Sequence, residues 1–215
     1  MTRRRRGSRG DVRETLRRES LDGRLPAGTR LLQQPLAKRF GVAQGVVRES
    51  LLELQGLGLV EAFEGPGLRV APMDERRLVE AFQIREALEG LAARLCCRRA
   101  SRQDLDELRE TVDRIHALGR RRKFEEAAEL DRRFHRRLVE LSGNRLLARL
   151  LEQCRLFGTV KKMDTDVEVV RRAHARILDA VERDLPDEAE RRSREHVRSA
   201  LAALRQDGFD DGRLG

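Results

Sequence analysis

The chain has no Trp and no Tyr, and only 7 Phe in 215 residues. Stacking of unpaired bases on aromatic rings is therefore not how it would meet nucleic acid. Lysine is almost absent too. Lys38, Lys123, Lys161 and Lys162 are the only ones, and Arg carries the rest of the basic charge. Arg abundance by itself thus says little about guanidinium chemistry. The three cysteines, Cys96, Cys97 and Cys154, are odd in number and lack C-x-x-C spacing. That excludes a disulfide scaffold and suits a reducing compartment. No apolar run approaches the about 20 residues that a membrane helix needs. The run Arg3–Arg6 has no hydrophobic segment behind it, so a basic flexible arm over 1–10 is expected rather than a secretory signal. A cytoplasmic protein with no membrane partner follows.

What is present is balance between two classes. Hydrophobic and charged residues each make up 39% of the chain. That composition favours amphipathic helices with solvated outer faces. The length suits two modest domains. Net charge is +9, and it is uneven. Residues 1–72 hold 14 Lys+Arg against 8 Asp+Glu, whereas residues 73–215 hold 32 against 29. The basic excess lies in the N-terminal third, where a domain that meets phosphate would be.

Local patterns divide the first third. Residues 11–22 carry Val12, Leu16 and Leu21 and stop at Gly23. Residues 35–40 read as a short helix opened by Pro35 and closed by Gly41. Residues 44–57 place Val47, Leu51 and Leu54 on one face. Strands are expected at 59–63 and 68–70, joined by Glu64-Gly65-Pro66-Gly67. Helix, short helix, helix and β-hairpin wing make a winged helix-turn-helix over 11–72. Its second helix would enter the major groove of double-stranded DNA, with Gln44, Gly45 and Arg48 toward the base edges. Gly65 and Gly67 at the wing tip would let backbone approach the duplex.

These residues resemble the GntR family of bacterial regulators. The matching positions are Leu25, Gly28, Leu36, Ala37, Gly41, Val42, Val47, Arg48, Glu49, Leu51, Leu54, Gly58, Leu59 and Val60. There are departures. Ala43-Gln44 stands where the family has Ser-Arg, and Gly45-Val46 where it has Thr-Pro. Gln34-Pro35 replaces the Arg common before the short helix. An unusual operator is expected.

Beyond Pro72 the pattern is all-α. Six helices are expected at 74–99, 102–119, 123–141, 144–162, 166–183 and 187–206, forming a bundle domain over 73–207. Residues 208–215 are expected to be a disordered tail. Ser101 and Asp104 read as a capping box. Within these helices four polar residues interrupt apolar stripes. Asp131 and His135, four apart, lie along Phe124, Ala127, Phe134, Leu138 and Leu141. His174 lies with Val170, Ile177, Leu178 and Val181, and His196 with Ala189, Val197, Ala200, Leu201 and Leu204. His174 and His196 are equidistant from Leu185 in the turn between their helices. An antiparallel hairpin would set them face to face, roughly 15 Å from that turn. Asp131 and His135 precede the Ser142-Gly143-Asn144 break by a similar span. Three nitrogens and one oxygen suit a divalent metal ion, zinc first, with nickel or manganese as alternatives. Taken singly, each His reads first as a hydrogen-bonded core residue; only the four together point to a metal. His116, at the edge of its stripe, is given no role.

The bundle also resembles the FCD effector domain of the FadR-type branch, in its shorter, VanR-like six-helix form. The resemblance rests on Arg85, Leu88, Glu89 and Ala92; on Asp131, Phe134 and His135; on Ser142, Gly143, Asn144 and Leu147; on His174, Ile177 and Ala180; and on His196. Asp184-Leu185-Pro186-Asp187 departs from the family's usual Gly-Asp turn. The resemblance implies a homodimeric transcriptional repressor on a palindromic operator. A small carboxylate effector would meet the metal, with Arg85 and Asn144 as its contacts. Arg85 could equally form an ion pair with a nearby Glu. Two other readings are a metal-dependent hydrolase fused to a DNA-binding domain, and a regulator with a purely structural metal. No H-E-x-x-H motif is present, and a regulator rather than an enzyme is expected.

Overall fold

The computed structural model describes residues 8–21, 23–64, 67–72, 75–155 and 166–206. The chain divides into two compact units, one closing at Glu75 and the other opening at Arg76. No helix among the described residues is long and apolar enough to cross a membrane.

The first unit holds α1 (Arg9–Leu21), β1 (Arg30–Leu31), α2 (Gln33–Phe40), α3 (Gln44–Gly56), β2 (Val60–Ala62) and β3 (Leu68–Val70). Val12 and Leu16 lie one turn apart on α1, and both are fully buried. They pack toward α3, whose Val47, Leu51 and Leu54 form the facing stripe. Each such side chain removed from water contributes about 1.5–3 kcal/mol. Gly41 ends α2 in the left-handed region at φ 68°, where a side chain would be strained. Pro35 sits in the first turn of α2 rather than at its start, because that helix begins two residues earlier. First-turn N–H groups have no helical acceptor, so the ring costs nothing there.

The expected hairpin is part of a three-stranded antiparallel sheet, ordered β1-β3-β2. β3 pairs with β2 through Val60↔Val70 and with β1 through Arg30↔Arg69. A two-residue strand carries no legible alternation, which is why β1 is not evident from the sequence. Gly67, at φ 113°, enters β3 in a conformation that only glycine adopts without strain. Gly65 lies outside the described residues.

The second unit is helical: α4 (Glu75–Cys96), α5 (Arg102–Arg120), α6 (Phe124–Leu141), α7 (Arg145–Arg155), α8 (Val167–Glu182) and α9 (Pro186–Gln206). The expected capping box opens α5. The Ser101 hydroxyl accepts from the Asp104 N–H, and the Asp104 carboxylate accepts from the Ser101 N–H. α7 was expected from 144 to 162. It is described as far as Arg155, and the rest of that span lies outside the described residues, as do residues 1–7 of the expected arm over 1–10 and the expected tail over 208–215; Arg9 and Gly10, assigned to the arm, open α1.

One apolar core joins α4, α5, α6, α8 and α9. It includes Ala93, Leu105, Leu108, Ile115, Phe134, Leu138, Ile177, Leu178 and Ala189. Cys96 is sealed within it, its thiol donating to the Leu138 carbonyl at 2.9 Å. Burial pushes that thiol up to about 12. α5 and α8 approach closely at the buried Gly119, where an added Cβ would collide with Val167. Replacing Gly119 with Ala gains about 1 kcal/mol of helix propensity but overpacks this crossing by about 1–3 kcal/mol. Chemical denaturation of Gly119→Ala is therefore expected to show a net loss of stability. Equal or higher stability would mean that α8 shifts freely against α5.

Candidate metal centre and DNA-reading helix

Three helices deliver the polar residues to one point. α6 supplies Asp131 and His135 one turn apart, α8 supplies His174, and α9 supplies His196. Their Nε2 atoms converge. His196 Nε2 lies 3.2 Å from His135 Nε2 and 3.3 Å from His174 Nε2. One ligand atom from each ring falls within 4.8 Å of the others. Asp131 joins from the side, its carboxylate 3.4 Å from His174 Nε2 and 3.8 Å from His135 Nε2. His174 is fully buried and His135 nearly so, while the Asp131 side chain keeps 24% exposure. The site is therefore enclosed at His135 and His174 and open at two edges, the Asp131 carboxylate and the half-buried His196.

The tautomers limit what these rings can do for one another. His135 Nδ1 lies 3.1 Å from a Glu89 carboxylate oxygen, a charge contact not aligned as a hydrogen bond; with its proton on that side, the ring turns a lone pair on Nε2 toward the cluster. His196 Nε2 meets two other Nε2 atoms and has at most one proton to offer. The cluster cannot be closed by hydrogen bonds alone. A bound cation would close it. Zn–N bonds of about 2.0–2.1 Å in tetrahedral arrangement separate their nitrogens by roughly 3.3 Å, close to the spacings found. Burial, and then the neighbouring His135, hold His174 well below the ordinary imidazole range. Burial, and then His174 and His135, do the same for His196. Both rings are thereby kept neutral, the form that ligates metal.

Glu89 is the residue that sequence reasoning left without a role. It lies on the inner face of α4 with 3% exposure, bridging inward to His135 and along its own helix to Arg85 at 3.1 Å. A carboxylate holding the outer nitrogen of a ligating His fixes its tautomer and raises its basicity. The available signal was a charge on a helix face otherwise lined by Phe82, Ala92, Ala93 and Cys96. Arg85 is part of this relay. Its side chain keeps 14% exposure, and its guanidinium lies 4.5 Å over the Phe82 ring. The ion-pair alternative for Arg85 is the arrangement found, buried rather than on the surface. Asn144 caps α7, its side-chain oxygen accepting the Leu147 N–H at 3.1 Å. His174 Nδ1 is buried with no hydrogen-bond partner, and nothing nearby accounts for it.

In the first unit, Gln44, Gly45 and Arg48 are exposed on the first turns of α3. Arg48 makes no ion pair among the described residues, whereas Glu49 is held by Arg9 at 3.2 Å. No side chain caps α3, since Ala43 occupies the cap position. A Cβ added at Gly45 would meet nothing within 4 Å, so packing does not impose that glycine.

Residues 9–70 match the gntR family of bacterial regulatory proteins, and residues 80–199 match the FCD domain. The chain belongs to the gntR family and carries an FCD domain. It is 34% identical over 202 residues to the "Probable D-xylose utilization operon transcriptional repressor" of Paenarthrobacter nicotinovorans, covering 89% of this chain and 86% of that protein. It is 28% identical over 221 residues to the "Glc operon transcriptional activator" of Escherichia coli K12, covering 90% and 87%. The solved structure of E. coli McbR/YncC shares the fold, with TM-score 0.75 at 22% identity over 93% of this chain and 97% of that one. The protein is a DNA-binding transcriptional regulator. In this regulator a histidine triad stands where an ion could be held.

If Glu89 orients His135, Glu89→Gln loosens zinc by about 10–100-fold. Competition with a chromophoric chelator measures this. Unchanged affinity would remove Glu89 from the site.

Proposed function

We propose that this regulator binds a palindromic operator as a homodimer and that a small organic acid alters that binding by docking at a divalent ion. Asp131, His135, His174 and His196 would hold the ion, with Glu89 and Arg85 behind them. The observation that carries this reading is the meeting of three Nε2 atoms at 3.2–3.3 Å beside a half-open carboxylate. Zinc suits the donor set best, and nickel or manganese would also be accepted. When bound, the ion supplies Lewis acidity toward a carboxylate oxygen. The residues position it and exclude water on the buried side. Coupling to DNA then requires the acid to bind two arrangements of the dimer with different affinity.

The dimer reading is supported by apolar side chains left in solvent. Ile84 and Leu91 on α4 keep 51% and 37% exposure, and Leu146 and Leu150 on α7 keep 64% and 41%. α4 and α7 already share a small core through Ala92, Leu147 and Leu151. A second copy would cover them, and two-fold symmetry would match a palindrome. Repression is the action we adopt. The Paenarthrobacter nicotinovorans relative is named a repressor and the E. coli relative an activator, so sign follows the operator as much as the fold. Such a protein works on chromosomal DNA in the cytoplasm.

A hydrolytic metal centre is the weaker reading. It needs a carboxylate free to take a proton from water. Glu89, the buried carboxylate behind the triad, is engaged by Arg85 and His135.

Gln44, Gly45 and Arg48 would face the major groove, with Gly67 and Gly65 bringing the wing to the backbone. A gel shift with Arg48→Ala is expected to lose about 5- to 150-fold in operator affinity, equivalent to about 1–3 kcal/mol. Wild-type affinity would count against this docking face. For the acid, a thermal-shift screen of organic acids on zinc-loaded protein is expected to yield stabilisers whose effect disappears in His174→Ala. Stabilisation that persists there would defeat docking at the metal.

A further inference from the structure

The α8–α9 hairpin has a second, outer face. There a cleft of about 310 Å³ is lined by Val169, Arg172, Ala173 and Arg176 from α8 and by Arg192, Glu195, His196 and Ser199 from α9. Three guanidiniums and one carboxylate border it. Arg172 and Arg176 are one turn apart, a like-charge spacing that weakens a helix unless something offsets it. Arg172 is only loosely occupied, reaching the Glu168 carboxylate at 3.9 Å and its carbonyl at 3.3 Å. Arg176 is exposed and has no ion pair among the described residues. Arg192 is held by Glu188 at 2.7 Å and by Glu195 at 3.4 Å. Glu195 is in turn neutralised by Arg191 as well. The cleft is thus a cationic recess whose lining also includes the apolar Val169 and Ala173.

His196 connects this recess to the histidine triad. Its Nε2 is turned inward to His135 and His174, yet its side chain also lines the cleft. The three rings differ in how their other nitrogen is treated. His135 Nδ1 faces a Glu89 carboxylate oxygen at 3.1 Å, and His174 Nδ1 is buried with no hydrogen-bond partner. His196 Nδ1 makes no hydrogen bond among the described residues and is not counted among the buried orphans. We propose that the α8–α9 cleft binds a small dianionic oxyanion between Arg172, Arg176 and Arg192, and that this anion accepts the His196 Nδ1–H. The anion would do for His196 what Glu89 does for His135, orienting the ring and raising its basicity from outside the chain. Metal and anion would then strengthen each other by the same factor, since linkage is reciprocal. This coupling rests on the metal reading of the triad; the anion site itself does not.

The test uses full-length protein and sulfate, a dianion with little affinity for zinc, against chloride at matched ionic strength. Wild type and the double variant Arg172→Gln/Arg176→Gln are compared, zinc-loaded and metal-free. In wild type, sulfate is expected to tighten zinc about fivefold or more, read by chelator competition. It is expected to raise the metal-free thermal midpoint by about 2–4 °C. The double variant should keep native circular dichroism and its sulfate-free zinc affinity while losing both responses. The same responses in the variant, or none in wild type that binds zinc, would overturn the proposal. If neither protein binds zinc, the metal reading fails. The metal-free sulfate response and its loss in the variant then decide the anion site alone.

Discussion

Three imidazole nitrogens, two of them within hydrogen-bonding distance of the third, cannot all satisfy each other in an apolar interior. Much of the helical unit is arranged around that unsolved contact. Protonation would relieve it, but burial and mutual repulsion hold His174 and His196 well below the ordinary imidazole range. Separation would relieve it, but each ring is fixed by its own helix, and Phe134 lies against His174 with ring centroids 4.4 Å apart. Water would relieve it only at the two partly open edges, Asp131 and His196. The helices thus hold apart from solvent a donor set whose natural complement is a cation.

The second level of organisation is a relay of charges along α4. Arg85 neutralises Glu89, and Glu89 sets its charge against the His135 ring. None of these groups would be tolerable alone at that depth. A buried carboxylate without Arg85 would be costly, and a buried Arg without Glu89 equally so. The same relay removes Glu89 as a proton acceptor for water. A single carboxylate therefore both supports ligation and argues against hydrolysis.

Much of this was legible in the residues. The stripes on α6, α8 and α9 are long and strongly periodic, so the helices and their inward faces could be read directly. Equal spacing of His174 and His196 from Leu185 was enough to set two rings opposite each other. Three features were not legible. β1 is two residues long and offers no alternation. Glu89 sits in an i,i+4 pair with Arg85, and such pairs are ordinary on exposed helix faces, so its depth is invisible without the packing around it. The Asn144 cap was not legible because the resemblance marked that residue only as an effector contact, and its part in opening α7 shows only in the hydrogen bond it accepts. Side-chain direction at helix ends is decided by the local turn, and spacing alone does not report it.

Cys96 has a use that follows from its seclusion. Its thiol is pushed up to about 12 and its proton is committed to the Leu138 carbonyl. At neutral pH the thiol stays protonated and sealed in the core. An alkylating reagent can therefore mark Cys96 only when the helices part. The half-buried Cys97 and Cys154 lack that degree of enclosure. The order in which the three thiols are labelled becomes a clock for breathing of the bundle, written into the chain without any added probe.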